Sequence, residues 1–300
     1  MKKVLVVGSL NMDIVIETDH IPVSGETISG KSIELIPGGK GANQAYTIGK
    51  LGGNVAMLGA VGEDDKGQKL LENLEKVGVN VAGIKKMNDV PTGQAYIAVD
   101  SAGNNVIVII AGANGEVSES LIRENMELIL NSDIIVMQLE IPLEVVRFVK
   151  DLAVELGKTV IIDPAPAVKG IPDSFWAGID YIKPNETEIG ILTGMEVKNQ
   201  EDAVRAAKTL IKKGVKNVIV SLGSKGCVLV TKDSEKYFPA CKVKAVDTTA
   251  AGDCFTAAFA LALSQGKDSK EAISFGQKAS AIAVTRKGAQ TSIPTLEEII

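Results

Sequence analysis

Short runs rich in valine and isoleucine alternate with helical patterns along nearly the whole chain, and this alternation constrains the fold most strongly. The runs typical of buried strands are residues 4–7, 55–60, 134–138, 160–163, 181–183 and 218–221. The helical patterns span residues 42–51, 68–77, 119–130, 143–156, 203–213, 251–264 and 270–284. Because such alternation forms right-handed crossovers, the sequence predicts an α/β fold with a doubly wound, mostly parallel central sheet flanked by helices.

Two segments depart from the alternation. Residues 12–34 are polar, turn-rich and strand-like, and residues 92–110 have the pattern of a hairpin around residues 101–104. Both would extend from the main sheet, so we expect one domain over residues 1–300 with a small β-sheet formed by these two excursions. Such a layer could close over a pocket as a lid. A surface flap or a contact between two subunits explains the segments as well.

Composition and charge exclude several classes of protein. The chain is 45% hydrophobic but only 4% aromatic, which suits a sheet buried between helices. Its net charge of −5, with no basic stripe, argues against a nucleic-acid partner. The apolar run at residues 4–7 is too short for a signal peptide, and no run could span a membrane, so we expect a cytoplasmic protein. The three cysteines, Cys227, Cys241 and Cys254, are expected to be small buried residues without disulfides or zinc.

Residues 247–253, Asp-Thr-Thr-Ala-Ala-Gly-Asp, carry the most informative motif. Phe255, Phe259 and Leu263 follow at helical spacing, so the motif opens a buried helix. A helix N-terminus has unpaired N–H groups and a partial positive charge, and small residues let an anion approach them. An ordinary helix cap explains the same residues. Since His20 is the one histidine, a general base is expected to be a carboxylate.

A second motif, Gly-Gly-Lys-Gly-Ala-Asn at residues 38–43, opens another predicted helix. Its glycines permit close approach of a ligand, and Lys40 and Asn43 can donate hydrogen bonds to hydroxyl groups. A tight loop is the plain alternative. Asn11 and Asp13 follow the first strand, and together these four side chains suit a polyhydroxylated substrate.

Further polar residues follow other strands, at the edge where open α/β sheets bind ligands; they are Asp163, Asn185, Ser221 and Asp253. Asn185 and Glu188 have the spacing of a capping box, and they could equally meet phosphates or the water shell of Mg²⁺. Residues 221–227 are explained by a turn or by a loop that faces a nucleotide.

Two nucleotide motifs are rejected. Residues 25–32 match the Walker A pattern letter for letter, but no buried strand precedes them and no helix can follow before Pro37. The first strand is followed by Gly-Ser-Leu-Asn, so the dinucleotide fingerprint is missing. A dehydrogenase is therefore disfavoured.

The motifs at residues 38–43 and 247–253 resemble the two signatures of the ribokinase family of carbohydrate kinases, also called the pfkB type. The resemblance runs essentially end to end and includes Asn11-x-Asp13, Gln138-Leu139-Glu140, Asn185-x-x-Glu188 and residues 284–289. It implies a ribokinase-like fold and transfer of the γ-phosphoryl group of ATP to the primary hydroxyl of ribose. Mg²⁺, an activating K⁺ and a homodimer that pairs through the β lid are implied too.

The resemblance also implies a role for each matching residue. Asp253 would be the general base, and the backbone amides of Ala250, Ala251 and Gly252 would form an anion hole. The sugar would be held by Asn11, Asp13, Gly39, Lys40, Asn43, Glu140 and Asp253. ATP would lie along Asn185, Ser221, Gly223 and Gly252, and Glu188 would meet Mg²⁺ through water. K⁺ would lie near Asp247, Thr249, Ala283, Arg286, Gly288 and Ser292.

Many family members have glycine where this chain has Ala250; alanine is tolerable there if its φ angle is negative. Fructose, deoxyribose or a nucleoside are the alternative acceptors. A non-catalytic sugar or nucleotide sensor on the same fold is the alternative class, and the presence of both base and anion hole favours catalysis.

Overall fold

The computed structural model describes residues 1–300. The strands are β1 (Val4–Val7), β2 (Asn11–Glu17), β3 (Ser32–Gly38), β4 (Val55–Gly62), β5 (Asn80–Met87), β6 (Gly93–Val99), β7 (Asn105–Ile110), β8 (Ile134–Met137), β9 (Thr159–Ile162), β10 (Tyr181–Ile182), β11 (Asn217–Ser221), β12 (Gly226–Thr231) and β13 (Glu235–Pro239). The α-helices are α1 (Lys40–Lys50), α2 (Asp65–Glu75), α3 (Glu119–Glu124), α4 (Met126–Leu130), α5 (Leu143–Glu155), α6 (Glu186–Thr193), α7 (Gln200–Lys212), α8 (Ala251–Ser264), α9 (Ser269–Ala283) and α10 (Leu296–Ile299).

Nine strands form the central sheet, in the order β13-β12-β11-β10-β9-β8-β1-β4-β5. From β11 to β5 every neighbouring pair is parallel, whereas β12 pairs antiparallel with both β11 and β13 at one edge. Strand β1 supplies both faces, because Val4 and Val6 pack into one apolar core while Leu5 and Val7 pack into the other. The predicted fold class is therefore confirmed.

The predicted helices and buried strands are all present, with ends that differ by up to three residues. One prediction is wrong: the single helix over residues 119–130 is two helices, α3 and α4. The chain leaves helical geometry at Asn125, whose side-chain amide donates to the carbonyl of Leu121 at 2.9 Å. Such local side-chain bonds compete with the helical ladder. Strands β5 and β13 were not predicted, since both are partly exposed edge strands without a continuous apolar run.

The two predicted excursions meet in a separate four-stranded sheet of order β3-β2-β6-β7. Strand β2 pairs antiparallel with β3 and parallel with β6, so residues far apart in sequence lie side by side. A turn stabilised by Asp100, which accepts from the Ala102 and Asn104 amides, joins β6 to β7. The small sheet that the sequence predicts is thus confirmed.

Several smaller expectations are decided by this architecture. The Walker-like residues 25–32 lie in the exposed connection from β2 to β3 with no helix, so their rejection is confirmed. Cys227 and Cys254 are buried, but the expectation for Cys241 is wrong: it is exposed, because it follows the edge strand β13 where the chain crosses the surface. None of the helices is both long and apolar enough to cross a membrane.

Gly41 sets how closely α1 approaches the end of β1. A Cβ atom there would lie 2.6 Å from the Ser9 amide nitrogen and 2.7 Å from the Gly8 carbonyl carbon, both backbone atoms. Because both are backbone atoms, no side chain can move away to make room for the Cβ atom.

We expect Gly41→Ala to lower the free energy of unfolding by about 1–3 kcal/mol, because the overpacked α1 must shift from β1. The matched control is Gly115→Ala, where the new Cβ would meet its nearest atom at 3.5 Å. Urea unfolding of both variants checks this. Equal stability of Gly41→Ala and the wild type would contradict the close approach.

Candidate functional site

Asp253 lies at the centre of a polar cluster at the carboxyl edge of the central sheet. It occupies the first turn of α8 and is 6% exposed. Its Oδ2 atom accepts from Asn43 Nδ2 at 2.9 Å, and its Oδ1 atom accepts from Gln44 Nε2 at 3.1 Å. Burial raises the pKa of Asp253, the charge of Lys40 opposes the rise, and that of Asp163 adds to it. The carboxyl group is thus held in place and made more basic than a solvated aspartate.

Several residues that were predicted to hold a sugar lie in the same cluster as this carboxylate. Glu140 Oε2 accepts from the Lys40 amide at 3.0 Å and from Ser9 Oγ at 2.5 Å, which fixes the loop before α1. Gly39 has a φ of 86°, and a Cβ there would lie 2.6 Å from the Asn11 amide nitrogen. Only glycine fits this position, so Gly39 has a clear conformational role.

Asp13, Lys40 and the neighbouring carboxylates shift one another's pKa values. Burial raises the pKa of Asp13 to about 7, and the nearby carboxylates of Glu140 and Asp253 contribute to the rise. The charge of Asp253 raises the pKa of Lys40, burial lowers it, and Glu140 raises it further. The pocket thus holds one firmly charged lysine among carboxyl groups that share few compensating cations.

Sequence reasoning missed the residues that orient these side chains. Asn114 is fully buried and donates to Asn11 Oδ1 at 2.7 Å, while its own oxygen accepts from the Leu10 amide at 2.8 Å. Gln290 donates to Asn43 Oδ1 at 3.0 Å, which turns the side-chain NH₂ group of Asn43 toward Asp253. Asn114 gives no sequence signal, since it lies in a short 3₁₀ segment far from any motif.

A buried ion pair lies beneath Asp253. The sequence predicted that Asp163 lies at the sheet edge but assigned it no role. Its Oδ2 atom accepts from Gln44 Nε2 at 3.2 Å and from Thr256 Oγ1 at 3.0 Å. The same Oδ2 atom lies 3.1 Å from Lys183 Nζ. Gln44 therefore bridges the two aspartates with one amide group. Its place directly after Asn43 in the glycine motif is the signal that could have found it.

The N-terminus of α8 differs from expectation. Ala250 has a φ of 57°, the one positive φ at a non-glycine residue, so the condition of a negative angle for alanine is not met. No side chain caps the helix, because Thr249 bonds back to Asp247 instead. The chain can then enter α8 only through the left-handed region.

This start of α8 leaves backbone N–H groups free. The Ala251 amide donates to the Thr248 carbonyl at 3.2 Å, whereas those of Ala250, Gly252 and Asp253 donate to no protein group. Of the two interpretations of this segment, the missing side-chain cap removes the ordinary helix cap. Free amides at a helix N-terminus suit an anion, and the anion cradle stays a prediction.

The predicted nucleotide residues line one cleft of about 670 Å³ beside the start of α8. Asn185 and Ser221 lie side by side where β10 and β11 end. The lining includes Lys183, Asn185, Ser221, Gly223, Gly252 and Gln277. The structure therefore brings Asn185, Ser221, Gly223 and Gly252 together.

Glu188 and Asn185 form the capping box that their spacing predicts. Asn185 Oδ1 accepts from the Glu188 amide at 2.8 Å, and Glu188 Oε2 accepts from the Asn185 amide at 2.7 Å. Glu188 Oε1 and Asn185 Nδ2 make no such bond, so capping does not exhaust either group. Burial raises the pKa of Glu188. One carboxylate beside this cleft would fit Mg²⁺, which keeps several waters and takes few protein ligands.

The residues predicted around a monovalent cation lie in two adjoining loops. Asp247 Oδ2 accepts from the Gly288 amide at 2.9 Å, and the Val284 carbonyl accepts from the Asp247 amide at 3.2 Å. Thus the Asp247–Thr249 and Ala283–Gly288 segments meet, as predicted. The Arg286 guanidinium pairs with Glu298, and Ser292 Oγ donates to the Ala289 carbonyl at 2.7 Å. These contacts bring the two segments together, and the K⁺ site there stays a prediction.

Comparison with known proteins decides the family. The model described as pfkB family carbohydrate kinase matches residues 1–296. The chain belongs to this family. The predicted resemblance is therefore confirmed, and with it the prediction of an enzyme, a carbohydrate kinase.

Individual members of the pfkB family are similar over their full length. Ribokinase of Haemophilus influenzae is 41% identical, with 100% of this chain and 98% of that protein covered. Deoxyribokinase of Salmonella typhi is 38% identical, with 98% and 96% covered. The structure of Arabidopsis thaliana ribokinase complexed with ribose and ATP superposes with a TM-score of 0.93 at 36% identity, covering 99% of this chain and 97% of that one.

We expect Ala250→Gly to raise the free energy of unfolding by about 1 kcal/mol, because glycine adopts a positive φ without steric cost. The matched control is Ala251→Gly, one residue further on, where helical alanine is favoured by about 0.5–1 kcal/mol. Urea unfolding should move the two variants in opposite directions. A destabilised Ala250→Gly would show that the left-handed angle carries no strain.

Asp13 predicts a pH dependence of stability. Its pKa is raised from 3.8 to about 7, so the folded protein keeps a proton that the unfolded chain loses. The stability from this group is complete at low pH and is lost as pH rises through about 7, with a slope of up to about 1.4 kcal/mol per pH unit.

Urea unfolding between about pH 4 and 7 should show a shallower decline for Asp13→Asn than for the wild type. The part that remains comes from Asp253 and Glu188, whose pKa values are raised in the same direction. Asp233→Asn, on an exposed turn, is the control. Parallel curves for Asp13→Asn and the wild type would refute the assignment.

Proposed function

We propose that this carbohydrate kinase transfers the γ-phosphoryl group of ATP to the primary hydroxyl of ribose and forms ribose 5-phosphate. The buried Asp253 carboxylate carries the proposal, because it lies between the sugar-type side chains and the free amides of the α8 N-terminus. The relative from Arabidopsis thaliana, complexed with ribose and ATP, supports the choice of both substrates.

In the proposed reaction Asp253 is the general base. It accepts the proton of the primary hydroxyl as the sugar oxygen forms a bond to the γ-phosphorus and the bond from that phosphorus to the β-γ bridging oxygen breaks. ADP is the leaving group. The raised pKa of Asp253 suits this step, since a more basic carboxylate takes the hydroxyl proton more readily. Asn43 and Gln44 keep the carboxylate aligned, and alignment supplies much of the acceleration in phosphoryl transfer.

Backbone dipoles and ions balance the phosphate charge in this proposal. The free amides of Ala250 and Gly252 would donate to the transferring phosphoryl, and Ala251 would join them by giving up its bond to Thr248. Asn185 and Glu188 would hold the phosphates and Mg²⁺, which when bound neutralises negative charge on them. A K⁺ ion in the Asp247 and Gly288 loops would fix the backbone that leads into α8 without contacting substrate.

Acceptor identity is the finer part of the proposal. Asn11, Asp13 and Lys40 suit a small, fully hydroxylated sugar, while the similarity to a deoxyribokinase makes deoxyribose the competing acceptor. Fructose and nucleosides remain alternatives from the sequence. We place the reaction in the cytoplasm, where cysteines stay reduced, because the three cysteines are unpaired.

An ATP-consumption assay over pentoses, hexoses and nucleosides tests the function, run once in K⁺ and once in Na⁺. We expect ribose to give the highest kcat/KM, and K⁺ to support faster turnover than Na⁺. Faster turnover of deoxyribose would transfer the assignment to that sugar. Equal rates in the two salts would remove the cation site, and no turnover with any acceptor would leave a sugar or nucleotide sensor.

Asp253→Asn should reduce kcat about 10²–10⁴-fold, because the amide cannot take the hydroxyl proton. Ribose affinity, measured by calorimetry, should change little. Asp268→Asn, at the exposed N-cap of α9, is the control and should retain full turnover. Wild-type kcat in Asp253→Asn would exclude this residue as the base.

We further propose that the small sheet is the lid of the sugar site. Cross-strand register puts Ile36, Asp13, Ala95 and Ile109 in one row, so apolar side chains share a face with the sugar-type Asp13. A lid with apolar residues beside its polar contacts would exclude water while the hydroxyl attacks.

The opposite face of the same sheet is proposed to pair two subunits. Leu35, Tyr96 and Val108 share a row there and are 50%, 40% and 55% exposed. Exposed apolar side chains grouped in this way mark an interaction site. Pairing of two subunits through this face would also stabilise the sheet whose other face is the proposed lid.

Val108→Asp should shift the protein from dimer to monomer in sedimentation velocity, because a charge would be buried at the interface. Val168→Asp, a comparably exposed valine (41%) in a surface loop, is the control and should stay dimeric. A wild-type monomer at micromolar concentration would contradict pairing through this sheet.

A further inference from the structure

Lys183 follows β10 and is a buried lysine that has no role in the proposed reaction. It is 6% exposed, yet it lines the nucleotide cleft. Its Nζ atom lies 3.1 Å from Asp163 Oδ2 and donates to the Gly252 carbonyl at 3.3 Å. A lysine so placed joins the floor of the site to the first turn of α8.

The position of the ammonium group relative to Gly252 is close and specific. A Cβ atom on Gly252 would lie 3.0 Å from Lys183 Nζ, and no other atom from outside this turn of α8 lies within 4 Å of that point. The ammonium group therefore lies against the same turn whose amides are free. An ammonium group has three N–H donors, and Asp163 and Gly252 take two of them.

We propose that Lys183 is a further catalytic residue, whose third N–H donates to the transferring phosphoryl group while Asp163 positions it. The inference rests on the proposed function and deepens it. A fixed positive charge in a site sheltered from water stabilises charge that develops in the transition state far better than it would in solvent. Lysine is suited to this task as a compact point charge.

The same geometry has a purely structural explanation that the experiment must separate. Asp163 is a buried carboxylate, and removing its cationic partner destabilises a protein whatever that partner does in catalysis. Loss of activity in Lys183→Met alone would therefore be ambiguous. The double variant Asp163→Asn/Lys183→Met removes both charges and so removes the unpaired carboxylate.

We would compare wild type, Lys183→Met and the double variant for melting temperature, kcat and binding of ADP and of the non-hydrolysable ATP analogue AMP-PNP. Lys150→Met is the matched control, since Lys150 is also a buried lysine, 2% exposed, paired with Asp151 on α5 away from the cleft. The assay uses whichever acceptor the wild type turns over, with Mg²⁺ and K⁺ present.

We expect kcat to fall about 10²-fold in Lys183→Met and to stay low in the double variant, although the double variant regains melting temperature. AMP-PNP affinity should fall about tenfold while ADP affinity changes far less, because only the γ-phosphoryl contact is lost. Lys150→Met should keep wild-type kcat.

Recovery of kcat in the double variant, wild-type kcat in Lys183→Met, or equal losses of ADP and AMP-PNP affinity would each overturn the assignment. A failure of the proposed function is distinguishable, because the wild type itself would then turn over no acceptor.

Discussion

The hydrogen bonds that Asn43 and Gln44 donate to Asp253 hold the site together. They join α1 to α8 across more than two hundred residues of chain, since the partners are 210 and 209 positions apart. Gln44 also reaches Asp163, so one amide group links both helices to the end of β9. Because an unpaired buried carboxylate is costly, the position of each helix is coupled to the others through these bonds. The proposed sugar side and the proposed nucleotide side of the site share this support.

The α8 N-terminus illustrates a local cost retained at a functional place. Ala250 adopts a left-handed angle that alanine disfavours, and no side chain caps the helix. A conventional cap would lower the energy of the fold but would occupy the amides that an anion needs. Asp247 is the residue that resolves the conflict, since it takes Thr249 and the Gly288 amide and holds the loop without covering the helix end.

Much of the fold could be read from the sequence because its signals are local. Continuous apolar runs such as Val4–Val7 can only be strands buried on both faces, and the spacing after Asp253 can only be a buried helix. The edge strands β5 and β13 escaped prediction since exposure removes that run. The break at Asn125 escaped because one side-chain hydrogen bond decides it. The positive φ of Ala250 could not be read from the sequence because it follows from how loop and helix meet.

The sequence by itself determined the layered α/β architecture, the two small-residue motifs and the family to which they point, since each depends on residue type and spacing along the chain. Only the tertiary structure decided which groups support the site. Asn114, Gln290 and the pair Asp163–Lys183 acquire their meaning from partners 20 to 247 positions away. A buried polar side chain is defined by what satisfies it, and those partners exist only once the parallel strands bring their carboxyl ends to one edge.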